Sequence, residues 1–284
     1  MQAMIITRLH GGLGNQMFQY AAGAALASRL DVPLALDPRP AAAKDQGDLR
    51  AIFDLPLVEP DHLPPDRDAR PVAYALWRKL GRTPVLRRED GLGYNTAFET
   101  WGDGSYLHGY WQSDRYFTPI IDRLRDDFTM TPPMSPANAE MTARIAQGTT
   151  IALHVRRGDY VALGASAVCD QAYYDAALAT ITKDLPDTPR VFVFSDDPGW
   201  ARDNLSVPFE KTVVDLNGRD TAHEDMRLMS LCTHNVIANS TFSWWSAWLN
   251  PNPAKRVAAP ARWFGNDHQH NPDILPQNWL KIAP

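Results

Sequence analysis

The sequence predicts an α/β fold built on parallel sheets. Short apolar runs alternate along most of the chain with segments in which apolar residues recur at helical spacing. The chain also begins with a predicted strand, a glycine-rich turn, a helix and a second strand, the unit from which such sheets are built. The length of 284 residues is enough for two domains. We place their boundary after the proline-rich segment 131–136, which gives domains at 1–136 and 137–284.

Composition excludes several classes of function. The net charge of −5 gives no general basic character, so we expect no nucleic-acid partner. The two cysteines, Cys169 and Cys232, make neither a disulfide framework nor a zinc site, which is typical of a reducing compartment. We recognise no signal peptide and no run of about 20 apolar residues. We therefore expect a cytoplasmic protein and leave open peripheral attachment to the inner face of the cytoplasmic membrane.

The first predicted elements are a strand at 4–9, a turn at 10–16, a helix at 17–30 and a strand at 32–36. Gly12 and Gly14 supply two glycines of a dinucleotide-binding turn, but Met17 occupies the third position, so that fingerprint is incomplete. The glycines would let a ligand or a neighbouring domain approach the backbone, and the helix N-terminus favours an anion or a hydroxyl. A tight turn without a ligand is the alternative interpretation.

The middle of the first domain gives weaker signals. Residues 61–71 are rich in proline and charge and indicate a surface excursion. The stretch 107–117 is predicted to be a strand that turns into a helix, and we interpret its aromatic residues as core. A platform for sugar rings is the alternative, so Trp111 and its polar neighbour Gln112 remain candidates on the acceptor side.

The second half repeats the alternation of strands and helices. The strands are predicted from residue 151 and at 191–194, 212–214, 235–238 and 256–259. The helices are predicted at 137–147, 173–185, 201–205, 223–232 and in the aromatic stretch that ends at 249. The run Val-Phe-Val-Phe at 191–194 is continuously apolar, as expected for a strand covered on both faces. Residues 272–284 are expected to pack back on the body.

Polar residues collect where three of these strands end, and ligands of open parallel sheets bind at that edge. They are His154, Arg156 and Arg157; Ser195, Asp196 and Asp197; and Asn239, Ser240, Thr241, Phe242 and Ser243. Two neighbouring guanidinium groups suit a diphosphate, because each offers a planar fork to phosphate oxygens. Strand alternation puts His154 and Arg156 on one face, so Arg156 is our candidate for the direct phosphate contact. Arg157 is either a second contact or a scaffold.

Two further features fit a nucleotide. Ser240, Thr241 and Ser243 lie at a predicted helix N-terminus, where hydroxyls and backbone N–H groups can hold phosphate oxygens. Asp197 can accept hydrogen bonds from guanine N1–H and the exocyclic amine, a pair of donors that adenine lacks. Each feature alone has a structural explanation as an ion-pair network or a helix cap. Their combination at strand ends favours a nucleotide-diphosphate site.

Several segments resemble the motifs of bacterial α-1,2-fucosyltransferases (glycosyltransferase family 11). The most specific are His-Val-Arg-Arg-Gly-Asp-Tyr at 154–160 and Gly-Gly-Leu-Gly-Asn-Gln-Met-Phe-Gln-Tyr at 11–20. The others occur in the family's order at 109–113, 194–197, 225–232, 239–245 and 275–279. The resemblance implies a GT-B-like architecture, in which two Rossmann-like domains face each other across a cleft. The first domain would lie on the acceptor side and the second would bind GDP-fucose.

The same resemblance implies a galactoside 2-α-L-fucosyltransferase. Such an enzyme moves L-fucose with inversion from GDP-β-L-fucose to the 2-hydroxyl of a terminal β-galactoside, such as lactose, N-acetyllactosamine or a lipid-linked or lipopolysaccharide glycan. By that pattern His154 and Asp197 would meet guanine, and Arg156 would hold the β-phosphate. Residues 240–243 would line the pyrophosphate. Asn15 and Gln16 would face the reaction centre or the acceptor from the first domain.

The mechanism requires stabilisation of the charge that develops on the leaving diphosphate. The sequence offers no convincing set of metal ligands, so we expect the arginines to supply this stabilisation without a metal or another cofactor. Asp159 is the candidate general base, and a structural role in holding Arg157 or capping the next turn is its alternative. The competing functions are a fucosyltransferase of another linkage, a GDP-sugar hydrolase and a non-catalytic glycan- or GDP-sugar-binding protein.

Overall fold

The computed structural model describes residues 3–44, 47–60, 62–67, 69–81, 84–157, 169–265 and 269–283. The chain forms two compact units. The first consists of Met1–Thr131 with Asn271–Pro276, and the second of Pro132–His270 with Gln277–Pro284. The segment Asn271–Pro276, which the sequence division places in the second domain, makes its contacts in the first unit. Elements are numbered below over the described residues.

The first unit is built on a four-stranded sheet in the order β2-β1-β4-β3. Its strands are β1 (Ile5–Arg8), β2 (Leu34–Asp37), β3 (Val85–Arg88) and β4 (Ser105–His108). All its pairings are parallel. Its helices are α1 (Leu13–Leu30), α2 (Arg39–Ala42), α3 (Pro71–Leu80) and α4 (Ile121–Asp127). Because the strands run the same way, the residues that follow them meet at one edge of the sheet.

Helix α1 begins at Leu13, earlier than the predicted start at residue 17, so the predicted turn is shorter than expected. Gly11 has a φ of +80°, and a Cβ there would lie 2.4 Å from Nδ2 of Asn15. Both the backbone conformation and the close approach of Asn15 therefore require glycine at this position. At Gly12, by contrast, a Cβ would meet nothing within 4 Å.

The second unit contains a six-stranded sheet in the order β10-β9-β8-β5-β6-β7. Its strands are β5 (Thr150–Val155), β6 (Arg190–Ser195), β7 (Lys211–Val213), β8 (His234–Val236), β9 (Val257–Pro260) and β10 (Leu280–Ile282). Its helices are α5 (Pro136–Ile145), α6 (Gln171–Thr182), α7 (Pro198–Asn204), α8 (Ala222–Leu231) and α9 (Thr241–Leu249). All its pairings are parallel, so the predicted α/β class is confirmed.

The two central strands of the second sheet are covered on both faces, as the continuous apolar run predicted. Leu153 and Val193 pack in one layer with residues of α6. Phe192 and Phe194 pack in the other layer with α8. The β5–β6 register sets His154 opposite Phe194 and Val155 opposite Ser195, so the polar residues that follow the two strands emerge side by side.

No helix within the described part of the chain is both long enough and apolar enough to cross a membrane.

Candidate functional site

A pocket of about 340 Å³ lies at the carboxyl edge of the second sheet. Five residues predicted to bind the donor line it: His154, Arg156, Ser195, Asp196 and Phe242. They come from the ends of β5 and β6 and from the first turn of α9. The structure therefore brings together, in one place, residues from all three strings that the sequence singled out.

Arg156 and Asp196 form an ion pair in this pocket. Nη1 of Arg156 lies 3.1 Å from Oδ2 of Asp196, and the two side chains are 31% and 24% exposed. The other oxygen of Asp196 accepts a hydrogen bond of 2.8 Å from the backbone N–H of Arg157. Asp196 thus fixes the backbone at the end of β5. Because a partly exposed ion pair is weak, a phosphate can compete for the guanidinium group of Arg156.

Arg157 and Asp197 contact each other, and neither is among the described residues that line the pocket. The guanidinium carbon of Arg157 lies 3.9 Å from the ring centroid of Trp200, and its Nε lies 3.6 Å from Oδ2 of Asp197. Oδ1 of Asp197 accepts a hydrogen bond of 3.0 Å from the backbone N–H of Trp200 and so caps α7. These contacts are the ones expected of Arg157 as a scaffold and of Asp197 as a helix cap.

His154 is a buried, neutral side chain with an open ring nitrogen. It is 5% exposed, and its Nδ1 has no hydrogen-bond partner among the described residues. Burial, followed by the charge of Arg156, lowers the pKa of His154 to about 4. Its ring lies 5.9 Å from that of Phe242. A neutral imidazole in the pocket wall can exchange one hydrogen bond with a ligand, as donor or acceptor according to its tautomer.

The segment before α9 is held by its own side chains. Nδ2 of Asn239 donates a 3.0 Å hydrogen bond to the carbonyl of Trp263, and the buried hydroxyl of Ser243 donates to the carbonyl of Ser240 at 3.2 Å. Ser240 is the N-cap residue, and Thr241 begins the helix. Asn239 and Ser243 therefore fix the start of α9, whose first turn presents Phe242 to the pocket.

The pocket is also lined by residues that the sequence did not single out, and those with charged or amide side chains are Asp215, Asn217, Arg219 and Asp225. Nδ2 of Asn217 donates a 2.7 Å hydrogen bond to Oδ1 of Asp225. Asn217 is fixed in turn by an exchange of amide hydrogen bonds with Asn138, at 2.8 and 3.0 Å. Burial raises the pKa of Asp225 to about 6. Asp215 and Asn217 follow the predicted strand at 212–214, so the strand-end rule applied to that strand would have found them.

In the first unit, Gln16 is buried and bonded to the backbone. Its Nε2 donates to the carbonyls of Gly11 and Gly47, at 3.0 and 3.2 Å, and its Oε1 accepts from the N–H of Leu49 at 3.2 Å. The side chain is only 1% exposed. Gln16 thus ties the loop around residue 48 to the start of α1.

Asn15 and Gln112, two candidates on the acceptor side, are joined by a hydrogen bond of 3.0 Å from Nε2 of Gln112 to Oδ1 of Asn15. Trp111 is fully buried and packs edge-to-face against Trp101 and Tyr116, which agrees with the interpretation of this aromatic cluster as core. Gly14 is buried in the first turn of α1.

Glu89, at the end of β3, holds the turn that contains Trp111. Its carboxylate accepts hydrogen bonds from the backbone N–H groups of Tyr110 and Trp111, at 2.6 and 2.9 Å. Burial raises the pKa of this carboxyl group to about 7. Trp111 has a φ of +58°, which is unusual for an aromatic residue, and the carboxylate of Glu89 supports this conformation. Glu89 lies in a stretch where the sequence shows no clear pattern, so it was not predicted.

Asp159, the candidate base, lies outside the described residues. Among the residues that are described, no group of three or more His, Cys, Asp or Glu side chains is arranged to hold a metal ion. The described lining of the pocket therefore includes two guanidinium groups, one neutral imidazole, two aromatic rings and three carboxyl groups.

Comparison with known proteins identifies the family of the chain. The model of glycosyl transferase family 11 matches residues 97–283. An α-1,2-colitosyltransferase of Escherichia coli is 31% identical, over 99% of this chain and 99% of its own. Galactoside α-(1,2)-fucosyltransferase 1 of Bos taurus is 26% identical, over 84% of this chain and 64% of its own.

Solved structures show the same fold. The α-1,6-fucosyltransferase NodZ, co-crystallised with GDP, has a TM-score of 0.53 at 17% identity and covers 90% of this chain and 94% of its own. A mutant of Arabidopsis thaliana FUT1 in complex with GDP has a TM-score of 0.52 at 15% identity and covers 97% of this chain and 76% of its own. The expected GT-B-like fold class is thereby confirmed. With its family model matched over more than half of its length and a relative similar from end to end, the chain belongs to glycosyl transferase family 11 and is a glycosyltransferase.

Proposed function

We propose that the protein transfers L-fucose from GDP-β-L-fucose to the 2-hydroxyl of a terminal β-galactoside, with inversion at the anomeric carbon. The observation that carries the proposal is the pocket of the second unit, where Arg156 lies beside the buried, neutral His154 and the start of α9. Relatives named galactoside α-(1,2)-fucosyltransferase support the sugar, the linkage and the acceptor. Structural neighbours solved with GDP and GDP-fucose support the nucleotide.

In this proposal Arg156 binds the β-phosphate of the leaving GDP. The acceptor oxygen attacks the anomeric carbon, the bond from that carbon to the β-phosphate oxygen breaks, and its electron pair leaves with GDP. The guanidinium group is charged before the reaction begins, so it stabilises the developing charge without reorganisation. Ser240 and Thr241, at the N-terminus of α9, add two hydroxyls and backbone N–H groups for the phosphates. No metal or other cofactor takes part.

We place guanine recognition on Asp225 with His154, in preference to the sequence-based candidate Asp197. A half-buried carboxylate and a phosphate repel each other, so Asp225 fits the uncharged end of the ligand. Guanine offers N1–H and an amino group to carboxylate oxygens. Asp225 is held in place by Asn217, whereas Asp197 caps α7 and contacts Arg157. Phe242 supplies an aromatic face in the same pocket.

The acceptor contacts belong to the first unit in this proposal. Asn15 and Gln112 are the side chains that meet the galactoside, and the exposed Gly12 leaves its approach to the backbone open. Gln16 and Trp111 support these residues from within the unit. Asp159 takes the proton of the acceptor hydroxyl, and Arg157 positions the strand end that carries Arg156.

The decisive experiment is incubation with GDP-fucose and lactose or N-acetyllactosamine, followed by NMR of the product. We expect fucose linked α-1,2 to galactose, and the same rate with EDTA present. Transfer to another hydroxyl would show a different linkage. Release of free fucose without transfer would indicate a hydrolase, and GDP binding with neither reaction would indicate a binding protein. Loss of activity in EDTA that a divalent cation restores would remove the metal-free mechanism.

A second donor is favoured by the relative named α-1,2-colitosyltransferase, which matches the chain from end to end. Colitose is fucose without its 3-hydroxyl. A site that hydrogen-bonds this hydroxyl rejects the deoxy sugar by about 10⁴-fold, whereas an apolar site discriminates by only about 10–200-fold. The ratio of kcat/KM for GDP-fucose over GDP-colitose therefore decides between the donors, and a ratio below one would favour colitose.

A further inference from the structure

Helix α3 of the first unit carries a row of exposed aliphatic side chains. Its inner face is anchored by Trp77, which is 8% exposed and contacts the rings of Tyr74 and Tyr106 at 5.4 and 5.7 Å. On its outer face Val72, Leu76 and Leu80 are 81%, 56% and 53% exposed. These three are the most exposed large hydrophobic residues of the described chain.

The spacing turns these residues into a continuous surface. Residues four apart on a helix lie next to one another, so Val72, Leu76 and Leu80 form one row along all ten residues of α3. Single exposed aliphatic residues are ordinary on protein surfaces, but an aligned row of three marks an interaction surface.

The surroundings of the row are strongly basic. Residues 67–88 include seven arginines or lysines and a single aspartate, although the whole chain has a net charge of −5. Arg70, Arg78 and Lys79 are exposed on α3 or directly before it. A pocket of about 570 Å³ lies beside the helix and is lined by Arg67, Arg78 and Arg88 together with Tyr74 and His108. Guanidinium groups gathered around one pocket suit a phosphate or phosphodiester.

We propose that α3 is a membrane-docking surface, in which Val72, Leu76 and Leu80 enter the boundary of a bilayer while the surrounding arginines and Lys79 bind anionic phospholipid headgroups. Apolar insertion and attraction to anionic lipid are the two features that together hold an interfacial helix on a membrane. Charge complementarity selects this occupant, because the basic residues around the row match the dense negative charge of an anionic lipid surface, and the bilayer boundary accepts the aliphatic row.

The test is co-sedimentation of the full chain with vesicles of phosphatidylcholine alone or mixed with phosphatidylglycerol. We expect binding to the mixed vesicles that weakens as salt is raised, and little binding to phosphatidylcholine. The triple variant Val72→Ser, Leu76→Ser, Leu80→Ser should lower the partition coefficient by about tenfold or more. Arg78→Glu with Lys79→Glu should lower binding to the mixed vesicles and remove most of its dependence on salt. The control Leu216→Ser with Leu231→Ser replaces residues that are 43% and 42% exposed in the second unit and should bind like the wild type.

Circular dichroism confirms that each variant folds, and the charge variant tests the surface independently if the serine variant does not. Wild-type protein that fails to bind the mixed vesicles would overturn the proposal, as would folded triple variants that bind like the wild type. If the wild type self-associates in analytical ultracentrifugation, and the triple variant is monomeric with unchanged vesicle binding, the row is instead an interface between copies. None of these measurements uses catalysis, so their failure is separate from failure of the proposed transfer reaction.

Discussion

The carboxyl edges of the two parallel sheets are completed in different ways. At the edge of the first sheet, side chains bond to one another and to the local backbone. Nη1 of Arg8 lies 2.6 Å from Nε2 of His108, and the amide of Gln19 bonds both the backbone and Nδ1 of His10. At the edge of the second sheet, His154 keeps an open Nδ1 and lines a pocket together with Arg156.

This difference assigns different physical tasks to the two edges. Because Arg8 and Gln19 can only donate at these contacts, Nε2 of His108 and Nδ1 of His10 must be acceptors, which keeps both rings neutral. Burial acts in the same direction and lowers the pKa of His10 to about 4 and that of His108 to about 3. His10 and His108 therefore keep the same protonation state near neutral pH, and the carboxyl edge of the first sheet is already fixed by its own hydrogen bonds. The second edge presents groups to a charged ligand.

The largest expected effect tests the carboxyl edge of the second sheet, where the pocket lies. Arg156→Ala removes the guanidinium group that we place on the leaving phosphate, so kcat for fucose transfer should fall by about 10²–10³-fold. Arg123→Ala, which removes a partly exposed arginine paired with Asp127 in the first unit, should leave kcat unchanged. Both rates are measured with GDP-fucose and lactose. A kcat for Arg156→Ala close to that of the wild type would remove this residue from the mechanism.

The next effect tests the first unit, where polar side chains are bonded to one another and to the backbone. Gln16→Leu leaves the N–H of Leu49 and the carbonyls of Gly11 and Gly47 without their side-chain partner, so the free energy of unfolding should fall by about 2–4 kcal/mol. Urea unfolding measures the loss, and GDP affinity should not change. Gln112→Ala is the matched variant, since its amide bonds Asn15 and should affect kcat/KM for the acceptor more than stability. If Gln16→Leu instead lowered turnover at unchanged stability, the sequence-based acceptor role of Gln16 would stand.

The central strands of the second sheet could be predicted from the sequence more accurately than the site residues that follow them. Continuous apolar runs define β5 and β6, and polar residues follow each at once. The end of β6 lies at Ser195, one position beyond the predicted strand, and Asp196 lines the pocket while Asp197 caps the next helix. A shift of a single position at the strand end thus decides which of the two adjacent aspartates lines the pocket and which caps the helix. Because the two residues are identical in type, the sequence alone does not distinguish them.

Elements of the first unit were missed because their patterns are mixed. Strand β3 has only half-buried or exposed residues, and two of its four are arginines, so it shows no apolar run. In α3 the apolar residues point both inward, as Trp77 does, and outward, as Leu76 does, so the helical stripe is not confined to one face. Asp225 was missed because a carboxylate in the first turn of a helix is explained by the helix dipole alone, and only the packed structure sets it in a pocket.

A smaller effect is expected at Asp225, which in our proposal makes the pocket of the second unit selective for guanine. Asp225→Asn should weaken GDP binding by about tenfold, because an amide accepts from only one of guanine's two donors and sets its own N–H₂ against the other. The loss should be smaller for inosine diphosphate, which lacks the amino group, and small for the pocket variant Asp215→Asn. Wild-type affinity for GDP should fall as the pH drops through about 6, where Asp225 takes up a proton. The variant should lose the part of this dependence that comes from Asp225 and keep the part that comes from the terminal phosphate of GDP, which titrates in the same range. Calorimetric titration that finds equal losses for GDP and inosine diphosphate would separate Asp225 from guanine.

The smallest effect concerns Glu89, the carboxylate that supports the turn at Trp111. Burial raises the pKa of Glu89 from 4.5 to about 7, so over that interval the folded chain binds a proton that the unfolded chain has released. The contribution of this group to stability is therefore present at low pH and is lost as the pH rises towards and through 7. Glu89→Gln does not titrate, so the decline of unfolding free energy between these pH values should be shallower than in the wild type, by an amount on the order of 1 kcal/mol. Glu140→Gln, at an exposed position on α5, is the matched control and should follow the wild-type curve. Urea unfolding at several pH values measures the slopes. If the unfolding free energy of Glu89→Gln depended on pH as steeply as that of the wild type, the carboxyl group of Glu89 would have the same pKa in the folded and the unfolded chain.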